Sequence, residues 1–468
     1  MRIKLNDDQA SALAQILAAY HAGETRHALT GNAGTGKTTL MQAVVAKFLE
    51  KGVSICVTAP THKAVSVLAR KLRDAGLSSI KAMTIHSLLG LKVSPNDEEN
   101  TTLKRNGPSQ VSAYRVVVID EASMVSSDLF DFIEEDLKQR FVLFVGDPAQ
   151  LPPVGEVETR CFSVLGKSHL SRIVRQADGN PIIRAAQMIR ERQDTTPDWD
   201  WTLPAEAGPI GIYRAGDDAD AWMRDAFLSA EFEHDNDTFR YICYTNARVT
   251  QVNTKVRSWI YGPTPTPFVA GERAICRTPI LNKAGRLALS VNEEAIIVSV
   301  TASELKFVFP AHAPRTSNEK NLGEWSIVLP TWRVRFPDDT SPDPDHTSPD
   351  DDSDWFFHHR RDEQNEIVVG EIARDPRQYD TIMRRVVAEA KSNRSRWWDY
   401  HEFKERLARL QHVYALTAHT SQGSTFANCF IDIADIRKRE VWSPKECQQL
   451  AYVALTRASQ AAIIIGAP

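Results

Sequence analysis

Several things are scarce in this sequence, and each scarcity excludes a class. No apolar run approaches the ~18 residues of a membrane-crossing helix, so no membrane span is expected. The opening Met-Arg-Ile-Lys-Leu-Asn-Asp-Asp-Gln has no apolar signal core, which speaks against export. The six cysteines (Cys56, Cys161, Cys243, Cys276, Cys429, Cys447) include no C-x-x-C pair. Neither a zinc site nor a disulfide framework is therefore expected, and the scatter suits a reducing cytoplasm. Net charge is nearly absent, since 56 basic and 60 acidic residues leave −4. Global charge thus gives no sign of nucleic-acid binding, although only a local groove need be positive. Internal repeats are also missing. What remains is the make-up of a folded protein: 42% hydrophobic and 25% charged residues exclude global disorder. A length of 468 residues suggests about three domains at roughly 150 residues each.

The first 170 residues alternate strand and helix patterns. Residues 26–30 predict a short strand entering a glycine-rich turn, and a helix follows to about Glu50. Ser54–Ala59 predicts a strand, Thr61–Leu72 a helix with apolar residues at helical spacing, Arg115–Ile119 a valine-rich strand, and Phe141–Val145 another. This order predicts a parallel sheet with helices on both faces. The polar, turn-rich stretch 91–111 interrupts it as a hairpin or loop. A second α/β block is split. Phe239–Tyr244 predicts a strand with a helix from about Ala247, and the block resumes near Gln411 with strands at Cys429–Ile433 and Ala462–Ile465. The insert between carries β-like runs at Glu294–Val300, Lys306–Phe309 and Trp325–Phe336. It also holds Pro337–Asp354, whose eight aspartates and four prolines predict a solvated loop.

Gly31-Asn-Ala-Gly34-Thr35-Gly36-Lys37-Thr38 matches G-x-x-x-x-G-K-[ST], with a strand before it and a helix after it. The glycines let backbone N–H groups curl around phosphate oxygens, and the helix N-terminus adds positive potential. Gly34, Thr35, Gly36, Lys37, Thr38 and Thr39 are the candidate ATP-phosphate residues, with Lys37 reaching the β and γ phosphates and Thr38 ligating Mg²⁺. Val116-Val-Val-Ile-Asp120-Glu121 is a buried strand ending in two carboxylates. Asp120 would hold the Mg²⁺ water shell and Glu121 would activate a water on the γ-phosphate; the plainer alternative is that Glu121 caps the next helix. Phe144-Val-Gly146-Asp147-Pro-Ala-Gln150 ends a third strand. There Gln150 could touch the γ-phosphate or its attacking water, or the segment could be a simple turn. Gln9, three residues after Asn6, reads as one half of a capping box or as an amide that binds adenine.

Taken in order, these segments resemble the motif series of the superfamily 1 helicases. Further segments complete the series: Thr58-Ala-Pro60-Thr61-His62, Thr84-Ile-His86, Arg172-Ile-Val-Arg175-Gln, Thr417-Ala-His419-Thr-Ser-Gln422-Gly423, and Tyr452-Val-Ala-Leu-Thr456-Arg457-Ala. Order, spacing and length are similar to the B-type, 5′-to-3′ branch with its Dda- and RecD-like members. The likeness runs along nearly the whole chain and includes Trp398-Asp-Tyr-His-Glu-Phe.

The resemblance implies an α/β fold of two RecA-like P-loop domains, parallel sheets flanked by helices, with a hairpin insert and a small SH3-like β-barrel insert. Residues 1–170 would be the first domain, with 91–111 as its pin. Residues 171–265 and 411–468 would be the two parts of the second, and 266–410 the barrel-containing insert. Gln9 becomes an adenine reader and Gln150 a γ-phosphate sensor. Arg175 and Arg457 become arginine fingers that reach the phosphoryl group when the cleft closes, and Gly423 lets the backbone approach the γ-phosphate. Pro60, Thr61, His62, Thr84 and His86 are the implied DNA contacts of the first domain, and Thr245, Asn246, Thr417 and His419 those of the second. Implied partners are single-stranded DNA and its junctions with duplex, with a single-strand-binding or replisome protein beside them. The implied workplace is the cytoplasm of a bacterial or phage-infected cell, with a monomer at work in replication, repair or recombination.

Two features depart from that family. The pin segment has no aromatic or bulky apolar tip beyond Leu103, and the acidic 337–354 stretch has no counterpart. Trp397 and Trp398 suit either base stacking or packing of the insert. The alternatives are a 3′-to-5′ or RNA-directed helicase, or an ATP-switched translocase that displaces bound proteins without efficient unwinding. A metabolic P-loop kinase leaves Arg175, Gln422, Arg457 and the second α/β block unexplained.

Overall fold

Residues 4–95, 101–105, 107–153, 155–172, 180–191, 205–208, 210–281, 287–336 and 368–466 are described by the computed structural model of the chain. The chain divides into two compact units. One comprises Met1–Lys92, Leu103–Gly262 and Tyr414–Pro468, and the other Val93–Thr102 and Pro263–Val413.

The first unit holds two parallel sheets. In the six-stranded one the order is Ala82–Thr84, Ile55–Ala59, Val116–Ile119, Phe141–Gly146, Arg26–Gly31, Gly166–Leu170. The central strands are covered on both faces, which is why Val116–Ile119 is an unbroken apolar run. Its side chains alternate between two cores. Val116 and Val118 join Leu29, Val145, Leu40, Val44 and Phe48 on one face. Val117 and Ile119 join Phe144, Leu129 and Ile133 on the other. Phe48 is fully buried, and its truncation to alanine would cost about 3–5 kcal/mol. The expected helices run over Lys37–Glu50 and His62–Asp74. The edge strand Gly166–Leu170 escapes prediction because Gly-Lys-Ser-His-Leu is mostly polar, which an edge position tolerates.

The second sheet has five parallel strands in the order Ala415–Thr417, Phe239–Cys243, Phe426–Asp432, Ala458–Ile465, Gly211–Arg214. Two of the predicted strands begin earlier than their apolar cores suggest. Ile433 leaves the expected strand and opens a short helix, Ile433–Arg437, because the Asp432 side chain accepts the Asp435 N–H at 2.9 Å. Gly211–Arg214 and Ala415–Thr417 are too short for a period of two to show. Ligands of open α/β sheets bind at the C-terminal ends of the strands, and the sequence candidates cluster at those ends in both sheets.

Among its described residues the second unit is antiparallel with two helices. The β-like runs at 294–300 and 306–309 largely merge. Ser299–Phe309 is one strand, paired along its length with Trp325–Phe336, which also pairs with Val368–Ala373. Glu294–Ile296, Arg273–Cys276 and Leu410–His412 form a separate sheet, and Ile280–Leu281 with Leu287–Leu289 a third. Among the described residues these are separate sheets. Helices Pro376–Ser392 and Arg396–Glu405 pack Val386, Trp397 and Phe403 against Phe309 and Leu329. Trp397 is therefore core, while Trp398 is 76% exposed. Leu91–Pro95 and Thr101–Arg105 pair as a two-stranded sheet. Residues 96–100 between them and the acidic stretch 337–354 lie outside the described residues.

Candidate functional site

The phosphate-loop candidate starts where strand Arg26–Gly31 ends. A side chain at Gly31 would meet Thr35 Oγ1 at 2.8 Å and Leu170 at 3.0 Å, so this turn needs glycine. Gly34 and Gly36 have φ of +82° and +78°, a region glycine enters without a Cβ clash. Gly36 is the N-cap of helix Lys37–Glu50. Lys37 Nζ donates to the carbonyls of Gly31 at 2.7 Å and Asn32 at 2.9 Å, which folds it back over the loop. Burial lowers its pKa against the pull of Asp147, Glu121 and Asp120. Thr35 Oγ1 donates to Asn32 O at 2.9 Å, Thr38 Oγ1 accepts from Lys71 Nζ at 3.5 Å, and Thr39 lies in the first helical turn.

Gln9 makes the capping box and also reaches the loop. Its Oε1 accepts the Asn6 N–H at 3.1 Å while Asn6 Oδ1 accepts the Gln9 N–H at 2.8 Å. Its Nε2 donates to Thr35 O at 3.3 Å and Gly36 O at 3.4 Å, which ties the first helix to the phosphate loop.

At the acidic pair, Asp120 Oδ1 accepts the Glu121 N–H at 3.0 Å. Burial, then the Glu121 charge, pushes the Asp120 carboxyl up to about 6. Glu121 has φ +51°, a costly conformation for a residue with a side chain, and such strain clusters at functional sites. Its side chain makes no capping bond to the following turn, so the plain capping alternative falls away.

The third segment brings the two sheets together. Asp147 is fully buried. Its Oδ1 accepts the Ala149 N–H at 3.0 Å and Arg190 Nη1 at 3.1 Å, and its Oδ2 accepts the Tyr452 hydroxyl at 2.6 Å. Arg190 also donates to Asn32 Oδ1, and Tyr452 Oη accepts the Ala33 N–H at 3.2 Å. Gln449 Nε2 donates to Gln150 O at 3.2 Å and Gln422 Nε2 to Leu151 O at 3.3 Å. Gln150 is buried with its Oε1 unpartnered. Asn32, Ala33, Gly34, Arg190 and Tyr452 border a cleft of about 190 Å³. Sequence reasoning missed Arg190, which no local pattern marks, and gave Tyr452 no role despite its place beside Arg457.

Arg457 is buried and held by its own half. Its guanidinium donates to Ser424 O at 3.0 Å, Val453 O at 3.1 Å and Thr456 Oγ1 at 3.0 Å. Burial lowers its pKa, with Glu121 first among the acids opposing that. Gly423 has φ +75° and open space where a Cβ would stand. Arg175 lies outside the described residues.

The remaining candidates stand at strand ends. Thr61 and Thr84 are N-caps, their hydroxyls accepting Ala64 N–H at 3.2 Å and Ser87 N–H at 3.1 Å. Pro60 and Thr61 follow one strand, and Thr84 ends its parallel neighbour. Burial lowers the His86 pKa, and the nearby His62 lowers it further. In the other sheet, Thr245 caps helix Asn246–Tyr261, Asn246 is exposed, and Thr417 Oγ1 accepts the Thr420 N–H at 3.2 Å. His419 lies 6.5 Å from Tyr244, ring to ring, and burial lowers its pKa.

Residues 4–201 match a family model described as an AAA domain. The ATP-dependent DNA helicase dda of Enterobacteria phage T4 is 22% identical over 97% of each chain. The ATP-dependent RecD2 DNA helicase of Deinococcus radiodurans is 34% identical over 39% of this chain and 23% of its own. The RecBCD enzyme subunit RecD of Mycobacterium tuberculosis is 30% identical over 52% of this chain and 48% of its own. The chain thus spans nearly all of the phage relative but half or less of the other two. Among solved structures, the Pif1 helicase from Bacteroides in complex with ADP-AlF3 and ssDNA aligns over 98% of this chain and 92% of that one. The identity is 18% and the TM-score 0.48.

Proposed function

We propose, for a chain that belongs to the Dda- and RecD-like branch of the superfamily 1 helicases, that it hydrolyses ATP in the cleft bordered by Asn32, Arg190 and Tyr452 while moving along single-stranded DNA. The observation that carries this is the junction at Asp147. One carboxylate beside the phosphate loop is bonded to a hydroxyl and a guanidinium from the other half of the unit. A cleft whose walls are joined through the phosphate loop itself can couple hydrolysis to movement of the halves.

In this reading backbone N–H groups of 33–38 bind the phosphates. Lys37 leaves its carbonyl partners to pair with the β and γ oxygens. Glu121 accepts the proton of a water whose oxygen attacks the γ-phosphorus as the bond to the β–γ bridging oxygen breaks, leaving ADP and phosphate. The Thr38 hydroxyl and Asp120 carboxylate would hold Mg²⁺. Two acids side by side, one with its pKa raised by burial, are a donor set that a divalent cation relieves. When bound, the ion would offset charge on the β and γ oxygens. Arg457 would exchange its protein partners for the γ-phosphoryl group on closure, Arg175 would join it there, and Gln150 and Gly423 would line it.

Single-stranded DNA would cross the strand ends that carry Pro60, Thr61, His62, Thr84, His86, Asn246, Thr417 and His419, with 5′-to-3′ movement and unwinding at junctions. The four-part domain division given above belongs to the same proposal, as does a working monomer. No helix among the described residues is long and apolar enough to cross a membrane. The test is ATP hydrolysis with and without single-stranded DNA, for the wild type and Lys37→Ala. DNA stimulation that disappears in the variant supports the proposal. Stimulation by RNA alone moves the substrate, and hydrolysis indifferent to both removes the motor. Tailed duplexes of each polarity then decide direction.

A further inference from the structure

Thr245 has little capacity left for a DNA phosphate. Asp435, itself buried, occupies the donors at that strand end. Its carboxylate accepts the Tyr244 N–H at 2.9 Å, the Thr245 N–H at 2.7 Å and the Thr245 hydroxyl at 3.0 Å. The same hydroxyl accepts the Arg248 N–H at 3.2 Å. A phosphate at this point would face a carboxylate already seated where it must bind. The outer surface here is instead the turn that follows helix Ile433–Arg437.

That helix leaves the C-terminal end of strand Phe426–Asp432, which is the sheet neighbour of Phe239–Cys243, and the turn follows within six residues of the strand. It therefore emerges on the edge that carries Thr245 and His419. It is fixed in place: Trp442 N–H and Ser443 N–H donate to Arg439 O at 3.1 and 2.9 Å, and Ser443 caps the next helix. Arg439 binds Glu446 at 2.7 Å and hydrogen-bonds the Tyr244 side chain. Both Arg439 and Glu446 act electrostatically on His419. Lys438 binds Asp435 at 2.6 Å with its side chain 61% exposed. At the tip, Val441 and Trp442 are 85% and 81% exposed. An indole on a bonded turn, beside exposed lysine and on a nucleic-acid edge, is a stacking platform for a base. Its adaptability to any base suits a track that reads no sequence.

We infer that Trp442, presented by the 438–443 turn, stacks on a base of the bound single strand and anchors the second half of the molecule to DNA. This rests on the helicase proposal above, and the experiment separates the two. Binding of fluorescein-labelled oligo-dT and of an all-abasic strand of equal length is measured by anisotropy for the wild type, Trp442→Ala and Trp442→Phe. The expected result is at least about fivefold weaker oligo-dT binding for Trp442→Ala, from the roughly 1 kcal/mol lower bound of one base stack. Trp442→Phe should restore most of that loss, and all three proteins should bind the abasic strand alike. Trp442→Ala binding oligo-dT within twofold of a tightly binding wild type overturns the inference and leaves this face for a protein partner. Equal losses on both strands overturn stacking as the cause. A wild type that binds neither strand removes the helicase proposal itself, and the inference with it.

Discussion

Tyr452→Phe removes one oxygen and tests whether the Asp147 junction matters to turnover. The hydroxyl is a donor throughout the working pH range, because burial and then the Asp147 charge push its pKa upward. It gives its proton to a fully buried carboxylate at 2.6 Å and accepts the Ala33 N–H at 3.2 Å. A hydrogen bond to a charged group contributes about 1.5–3 kcal/mol. Asp147 keeps Arg190 and the Ala149 N–H as partners, so the lower part of that range applies. Phenylalanine preserves the ring volume, so no cavity cost is added. A loss of about 1.5–2 kcal/mol corresponds to roughly 10- to 30-fold. It should appear in kcat/KM for ATP at saturating single-stranded DNA, because the bond joins the walls of the cleft. A double-mutant cycle with Asp147→Asn isolates the pair, and a coupling of about 1 kcal/mol or more is expected. Tyr452→Phe within twofold of wild type, or additivity within about 0.5 kcal/mol, would refute the junction as a working part.

Glu121→Gln should leave ATP binding within a few-fold of wild type but slow hydrolysis by about 10²- to 10⁴-fold, the span of general-base catalysis; rapid single-turnover hydrolysis in that variant would exclude Glu121 as the base. Asp120 sets a pH dependence. Its folded carboxyl sits near 6 against an ordinary 3.8, so the unfolded chain loses its proton first. Its contribution to stability is therefore greatest below pH 3.8 and fades as pH rises to about 6. Mg²⁺ should consequently raise the Tm more at pH 7 than at pH 5, and its apparent affinity should weaken below about pH 6; an affinity flat from pH 5 to 7 would contradict Asp120 as a ligand.

The legible parts of this fold were those whose chemistry is local. A phosphate loop needs glycine at a fixed offset from lysine, so Gly36 and Lys37 announce it in eight residues. The valine run ending at Asp120 announces a strand covered on both faces, because one-sided burial would have interrupted it with polar residues. Two helix starts were legible for the same reason: Thr61 and Thr245 both cap within three residues of themselves. The short strands Gly211–Arg214 and Ala415–Thr417 were not, since three or four residues carry no measurable period. The 294–309 region misled differently. Its central Glu304 interrupts the apolar runs on one long strand, where Glu304 lies opposite Pro330 in the register.

What connects the halves was illegible because it is made of single side chains far apart in the chain. Asp147 meets Tyr452 across 305 positions and Arg190 across 43. Neither separation leaves a trace in local pattern. Asp435 reaches Thr245 across 190 positions, and the consequence alters the map of candidate contacts. From sequence alone, Thr245 and Thr61 look equivalent, each a hydroxyl at a helix start after a parallel strand. In the structure they differ, because only Thr245 also donates to a buried carboxylate. A threonine that caps a helix can still offer its hydroxyl proton to a phosphate; one that caps and donates to an aspartate cannot do so without giving up a bond. Thr61→Val should therefore weaken single-stranded DNA binding directly. Thr245→Val should act first on folding, by leaving the Asp435 carboxylate short of a donor in a buried place. Thermal unfolding beside DNA affinity distinguishes the two. A Thr245 variant with unchanged Tm and weakened DNA binding would return that residue to the contact surface.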